Sequence, residues 1–456
     1  NKRNDRYGQN RLLFAREVIS SVREGAPDLP CIVRISGNEM SPEFGITQED
    51  LLPFLKVAEE MGISAVHVSM GNACFSPPWY FHHGSLPEKP QIDALSWVRA
   101  QTSLPLIVAG RMGRKERVEE IFEKGLADLV ALGRPLIADP ELIGKWKKGK
   151  DEKIMYCGYC LQGCLHRVRS GEPLGCNLNP EIGLPPLALT RQPMTVLVAG
   201  GGPAGMSAAL HMTRRGHRVT LAEKLSDLGG QFTLAWRATG KENMKKGLES
   251  LVLTVKENVA SVILNRPVDA ALVKELHPDL LVWATGPLQN VPDIPGLRDQ
   301  YTITALEFFT GKKEVRGPRV LLIGAGRTGI EIVEKLGEGK YEVVATKRTD
   351  PIGSMMEMIT RTLTLMRIKQ MPKVTLMPHT AVRAFSPRTV DVEQDGKAIS
   401  LEPFQTVILA SGMVSAPAPD EEIRKNVSKI EIIGDAKDVK DIFTAMQAGY
   451  QLAMKY

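Results

Sequence analysis

A chain of 456 residues with 43% hydrophobic and 24% charged residues has the make-up of a soluble protein of about three domains. Its formal net charge is only +6, with the basic residues scattered, so neither a nucleic-acid footprint nor a polybasic membrane patch is implied. No apolar run reaches eighteen residues without Gly or charge, which excludes an evident membrane-spanning helix. The first residue is Asn rather than Met, which leaves an amino-terminal segment ahead of it open.

From the front, helix and strand patterns alternate with short connections. "RLLFAREVISSVRE" predicts an amphipathic helix and "CIVRIS" a buried strand. "TQEDLLPFLKVAEEMG" predicts a helix with a Thr cap and a closing Gly. "SAVHVSM", "LPLIVAG" and "LVALGRP" are the next strands. They alternate with helices in "IDALSWVRAQT", "RKERVEEIFEKG" and "DPELIGKWKKGK". Four βα units in succession predict a parallel sheet, half of a (β/α)8 barrel. In that reading the last four units are present and the first four are not.

Such barrels carry their chemistry where strands run into the following loops. Two consecutive strands end in Gly110-Arg111 and Gly133-Arg134, a pair suited to one phosphate. Arg34 ends "CIVRIS" and is expected in the same mouth.

Four of the six cysteines fall in "CGYCLQGCLHRVRSGEPLGC". Cys157, Cys160, Cys164 and Cys176 are separated by two, three and eleven residues. Three ligands in one short loop with a fourth returning from beyond suit a [4Fe–4S] cluster better than the paired knuckles of structural zinc. Zinc and a disulfide or redox C-x-x-C remain as alternatives. Thiols of this kind imply a reducing, cytoplasmic compartment. Cys31 and Cys74 stand alone and are expected to be small buried hydrophobes.

After the Pro-rich joint "EIGLPPLALTRQP" comes "TVLVAGGGPAGMSAALHMTRRGHRVTLAEK", a strand, a glycine turn, a helix and a strand. Gly200, Gly202 and Gly205 form G-x-G-x-x-G, and Glu223 closes the second strand as a ribose acceptor. The pattern recurs with Gly324, Gly326 and Gly329 in "RVLLIGAGRTGIEIVEKLGEGKYEVVATKR". Two such turns imply two dinucleotides. Between them "LLVWATGP" is a buried strand. At the end, Gly434-Asp435 between a strand and a helix predicts a return to the first nucleotide domain, with the Asp placed for a flavin ribityl hydroxyl. The position of Glu223 in the first fold is taken by Lys347 in the second, followed by Arg348, and this predicts NADPH over NADH. The Met-rich stretch "GSMMEMITRTLTLMRIKQM" is expected as a buried or subunit-facing helix, leaving room for a homo-oligomer.

"NKRNDRYG" and "NR" at the front, the cysteine spacing, "LGGQF" at 228–232, "ATG" and "IIGD" together resemble the iron–sulfur flavoenzymes related to 2,4-dienoyl-CoA reductase, 2-enoate reductase and trimethylamine dehydrogenase. The resemblance implies an old yellow enzyme-like barrel binding FMN, a [4Fe–4S] cluster, FAD and NAD(P)H. Electrons would flow from NAD(P)H to FAD, to the cluster, to FMN, and then to the C=C bond of an unsaturated carbonyl or acyl-CoA substrate. It implies that Gly110, Arg111, Gly133 and Arg134 hold the FMN phosphate and that Arg34 lies near the flavin's pyrimidine side. It implies that Gln231 of "LGGQF" lies at the FAD site. In "WYFHHGSLP" either His82 or His83 matches the substrate-polarising histidine, and the reading leans to His83. The family's catalytic tyrosine would precede Asn1. The implied domains are a partial barrel at 1–152, a cluster segment and linker at 153–192, an FAD domain at 193–305 plus 402–456, and an NAD(P)H domain at 306–401. Two other readings stand beside reduction of alkenes. One is an amine dehydrogenase, against which the intact second glycine triad argues. The other is an electron-transfer module that oxidises NAD(P)H for a protein partner.

Overall fold

The computed structural model describes residues 3–349 and 351–456 and divides into two compact units, 1–136 and 137–456. In the first unit β1 (Ile32–Ser36), β2 (Ala65–Ser69), β3 (Leu106–Ala109) and β4 (Leu129–Ala131) form a parallel sheet in that order. Helices Gln48–Glu60, Lys89–Gln101 and Lys115–Glu123 make the crossovers. Thr47 caps the first of these in a capping box with Asp50, as the Thr before an amphipathic run predicts. Alternation along the strands assigns the faces. Val66, Val68, Leu106 and Val108 are buried, and they share a face with Ile35. Arg34 and His67 stand side by side in register on the other face. The four strands and the three crossover helices are those expected from the sequence, while the helix expected after β4 forms at Leu142–Lys147, in the second unit.

The second unit holds two five-stranded parallel sheets. The first has the order Ile430–Ile432, Leu280–Trp283, Thr195–Ala199, Arg218–Ala222, Ser261–Ile263. The second has the order Thr302–Thr304, Thr406–Leu409, Arg319–Ile323, Glu342–Thr346, Val374–Met377. Their strands read as unbroken apolar runs because both faces are covered; Leu280, Leu281 and Val282 are fully buried. Helix Ile442–Lys455 packs against helix Pro203–Arg214, so the carboxy-terminal segment returns to the first sheet as expected.

Both expected boundaries of the second nucleotide domain, 306 and 401, move. Strands Thr302–Thr304 and Thr406–Leu409 hydrogen-bond into the second sheet, which therefore starts before 306 and runs past 401. The first compact unit closes at 136, with residues 137–153 tied to the cysteine segment and its flanks. Asp139 accepts from the Met155 N–H at 2.8 Å and from Lys145, and the Ile137 carbonyl accepts from Asn179. The Met-rich helix, Met358–Lys369, buries Ile359, Thr364 and Ile368 but leaves Met358 and Met366 exposed. Cys74 is exposed rather than buried. Among the described residues no helix is long and apolar enough to cross a membrane.

Candidate functional site

In the first unit the parallel register of β3 and β4 brings Gly110-Arg111 and Gly133-Arg134 out at the same end of the sheet. Gly110 and Arg111 both have left-handed backbone, with φ of 106° and 58°. A Cβ on Gly110 would lie 2.4–2.5 Å from three atoms of the His82 imidazole, so the glycine is needed for that ring to lie against the turn. Arg134 donates to the His82 carbonyl at 3.3 Å. Burial, together with the charges of Arg134, Arg111, Arg117 and Arg34, pushes the His82 pKa down to about 3. The structure thus gathers Arg34, Arg111, Arg134 and His82, four residues drawn from four separate loops and strands.

The two candidate histidines differ. His82 is over nine-tenths buried, and its Nε2 has no hydrogen-bond partner. His83 directs Nδ1 to Ser85, accepting from the Ser85 N–H at 3.1 Å with the hydroxyl at 2.8 Å. The geometry therefore favours His82, against the lean to His83. The Arg111 guanidinium also differs from expectation: it binds the Leu86 carbonyl and, at 3.0 Å, Glu88. Glu88 additionally pairs with Arg114 and Arg117. Glu88 and Gln91 at the start of helix Lys89–Gln101, and Arg117 on helix Lys115–Glu123, look in the sequence like ordinary residues of two surface helices; no spacing signal marks them.

In the second unit the first glycine turn is built by close approach. A Cβ on Gly200 would meet the Ala284 carbonyl oxygen at 2.4 Å, and one on Gly205 would meet the Gly200 oxygen at 1.9 Å. Helix Pro203–Arg214 starts at Gly202, presenting its N-terminus to the turn. Glu223 is buried, and its carboxylate accepts from the Gly201 N–H at 2.6 Å and from the Leu225 N–H at 2.9 Å. The "LGGQF" turn folds over this loop, with Gly230 against Gly202, and Gln231 follows, exposed. Gly434 lies against Ala204, and Asp435 is half-buried, which pushes its pKa up. The buried Thr285 hydroxyl beside Gly200 has no partner. A cradle that a Cβ would fill, and a polar atom left waiting in it, fit a bound dinucleotide.

The second turn repeats the first. Gly324 has φ of 105°, as Gly200 does, and its Cβ would meet the Ala410 oxygen at 2.5 Å; a Cβ on Gly329 would meet the Gly324 oxygen at 2.1 Å. Helix Arg327–Gly337 starts at Gly326. Ala410-Ser411-Gly412 thus plays the part of Ala284-Thr285-Gly286. That second "A-S/T-G" is visible in the sequence and was missed. Strand Glu342–Thr346 is followed by Lys347, half-buried, and Arg348, exposed. The strand-end position anticipated for both is the one observed.

The cysteine segment belongs to the same unit. Tyr159 and Leu161 are buried on left-handed backbone, with φ of 49° and 60°, which folds "CGYC" back on itself. The Gly175 N–H donates to the Gly163 carbonyl and brings Cys176 back to the loop. The sulfurs accept from nitrogen: Cys157 from the Tyr159 N–H at 3.4 Å, Cys176 from the Leu178 N–H at 3.5 Å, and Cys160 from the Asn177 amide at 3.7 Å. No disulfide joins any of the four. Burial pushes the Cys160 thiol up to about 12 and the Cys176 thiol up as well, so a bound metal is what would hold them as thiolates. Among the described residues no three His, Cys, Asp or Glu side chains converge as a single ion requires. The ligands of a cluster converge more loosely, each on a different iron of one group, and N–H donors to sulfur are among the features that tune one. The donor set fits that group.

Comparison with known proteins agrees with this layout. The NADH:flavin oxidoreductase / NADH oxidase family matches residues 1–153, and the pyridine nucleotide-disulphide oxidoreductase family matches residues 194–443. The chain is 31% identical over 472 residues to an NADH oxidase of Thermoanaerobacter brockii, covering 99% of this chain and 71% of the relative. It is 27% identical over 478 residues to a cinnamate reductase of Clostridium sporogenes, with 99% and 71% covered. A solved complex of 2-naphthoyl-CoA reductase with 2-naphthoyl-CoA superposes with a TM-score of 0.92 at 25% identity, over 100% of this chain and 70% of that one. The chain is accordingly an NAD(P)H-dependent flavin oxidoreductase and belongs to the 2,4-dienoyl-CoA reductase / 2-enoate reductase family.

Proposed function

We propose that the chain reduces the C=C bond of α,β-unsaturated carbonyl compounds, enoates or acyl-CoA thioesters, with NADPH as reductant. When bound, the flavins supply hydride and single-electron chemistry, and a [4Fe–4S] cluster carries electrons one at a time. In this reading Cys157, Cys160, Cys164 and Cys176 hold the cluster. Gly110, Gly133 and Arg134, with the Arg111 N–H, hold the FMN phosphate, and Arg34 faces the isoalloxazine. The Gly200, Gly202 and Gly205 turn with Glu223, Gln231, Gly434 and Asp435 holds FAD. The Gly324, Gly326 and Gly329 turn with Lys347 and Arg348 holds NADPH.

The observation that carries the reading is His82, with a buried, unpartnered Nε2 among four guanidinium charges. The imidazole is neutral at physiological pH. It donates a hydrogen bond from Nε2 to the substrate carbonyl and does not release a proton. The surrounding guanidinium charge favours the negative charge that develops on that oxygen. Relatives whose names specify cinnamate and 2-naphthoyl-CoA as substrates support an unsaturated carbonyl compound here.

The test is anaerobic turnover of an aryl enoate with NADPH by His82→Ala and His83→Ala variants. His82→Ala is expected to lower kcat by about 100-fold, the scale of losing one such donor, with FAD reduction by NADPH unchanged. His83→Ala is expected to cost far less. An unimpaired His82→Ala enzyme would end the assignment.

A further inference from the structure

We propose that Gln91, gripped by Arg117, is a positioning residue that sets the Gly110–Arg111 turn as a phosphate cradle, an inference that rests on reading that turn as the FMN phosphate site. Two consecutive left-handed residues make this turn. Glycine adopts such a conformation freely, but Arg111 carries a steric penalty there, so something must hold it.

Gln91 supplies the hold. It is 7% exposed and lies in the first turn of the crossover helix Lys89–Gln101 between β2 and β3. Its Nε2 donates to the Ala109 carbonyl at 2.6 Å and to the Gly110 carbonyl at 3.2 Å. In a trans peptide the C=O and the following N–H point in opposite directions. Holding the oxygens of Ala109 and Gly110 therefore turns the N–H groups of Gly110 and Arg111 to the side away from Gln91. Two successive N–H groups presented together form an anion-binding nest.

The amide itself cannot flip. Its Oε1 accepts from Arg117 Nη2 at 2.7 Å, which commits the NH2 group to the carbonyls. Arg117 is 3% exposed and is fixed in turn by Glu88, which also takes Arg111 and Arg114. Three guanidiniums share that one carboxylate, so the network leaves excess positive charge behind the turn, as suits a dianionic phosphate.

Riboflavin lacks only the phosphate of FMN, so the ratio of their dissociation constants reads the cradle alone. It is measured by flavin fluorescence quenching, with the FAD site already filled. The unaltered protein is expected to bind FMN at least about tenfold tighter than riboflavin. Gln91→Met keeps the side-chain length and removes both donors without adding charge; Gln91→Glu keeps the Arg117 contact but replaces the donors with a negative charge facing the two carbonyls. Either is expected to collapse the ratio by about tenfold, the scale of one or two lost hydrogen bonds, with riboflavin affinity and FAD content unmoved. Parallel weakening of FMN and riboflavin would mean a merely structural role and overturn the proposal, as would a retained ratio. A ratio near one in the unaltered protein, or binding of neither flavin, would overturn the cradle reading and the proposal together.

Discussion

His82 ties its chemistry to stability because its ring is buried in the neutral form. Its folded pKa of about 3 lies below the unfolded value of 6.5. From pH 6.5 downward the unfolded chain takes up a proton that the folded chain refuses, so stability falls as pH falls. The slope for this one group is at most about 1.4 kcal/mol per pH unit, and it ends once pH drops through the folded pKa. His82→Gln should flatten that part of the urea-unfolding profile between pH 6.5 and 4; an unchanged profile would show that the ring titrates normally. The other residue-scale prediction concerns Lys347 and Arg348. An acid in the place of Lys347 would accept from a ribose 2′-hydroxyl and repel a 2′-phosphate, whereas two cations bind the phosphate. Lys347→Glu with Arg348→Ala should shift kcat/KM for FAD reduction toward NADH by roughly 30-fold, about 2 kcal/mol. Equal use of both nucleotides before and after the change would show that these side chains read nothing.

Among the elements, the two glycine turns were legible in advance, since each needs close backbone approach that only glycine permits, and the requirement leaves a fixed spacing. The cysteine spacing stands out in the sequence for a similar reason, since thiols that are to reach one group must fall at short spacings or return to one loop. The Gln91–Arg117–Glu88 brace was not, since long polar side chains on a crossover helix carry no period or spacing that distinguishes a clamp from a solvated face. The choice between His82 and His83 was not legible either, because it turns on which ring Ser85 occupies. In the cysteine loop the informative residue is Gly163, whose Cβ would lie 2.7 Å from both the Asn177 nitrogen and the Cys176 Cα. Both neighbours are backbone, so a methyl group there must displace the returning segment that carries Cys176. Gly163→Ala should therefore reduce iron per chain and the visible absorbance after anaerobic reconstitution, while FAD content stays near that of the parent. Full iron loading of the variant would show that the return of Cys176 is not what completes the ligand set.

On the scale of the whole chain, alternating βα patterns were enough to name a half-barrel followed by two nucleotide folds, but not to divide the nucleotide folds correctly. Thr302–Thr304 and Thr406–Leu409 are three- and four-residue strands, and apolar runs that short do not declare which parallel sheet they join. How the two nucleotide sheets are fastened inside the second unit was equally hidden. Arg237 donates to the Phe309 carbonyl at 2.8 Å, and Lys241 pairs with Glu331 on helix Arg327–Gly337. The Lys241–Glu331 pair is largely buried, with side chains 13% and 9% exposed. Burying both charges offsets much of their attraction, so the pair as a whole contributes little net stability, while removing one partner strands the other in a site that solvates it poorly. Lys241→Met should then destabilise the second unit by about 3 kcal/mol, and adding Glu331→Leu should recover most of that loss, because the stranded carboxylate is gone. The loss should register in FAD retention during urea unfolding, since Lys241 stands on the FAD side and Glu331 on the helix after the second glycine turn. If the double variant is no more stable than Lys241→Met alone, the cost lies in lost lysine packing rather than in an unpaired buried charge, and the fastening is not electrostatic.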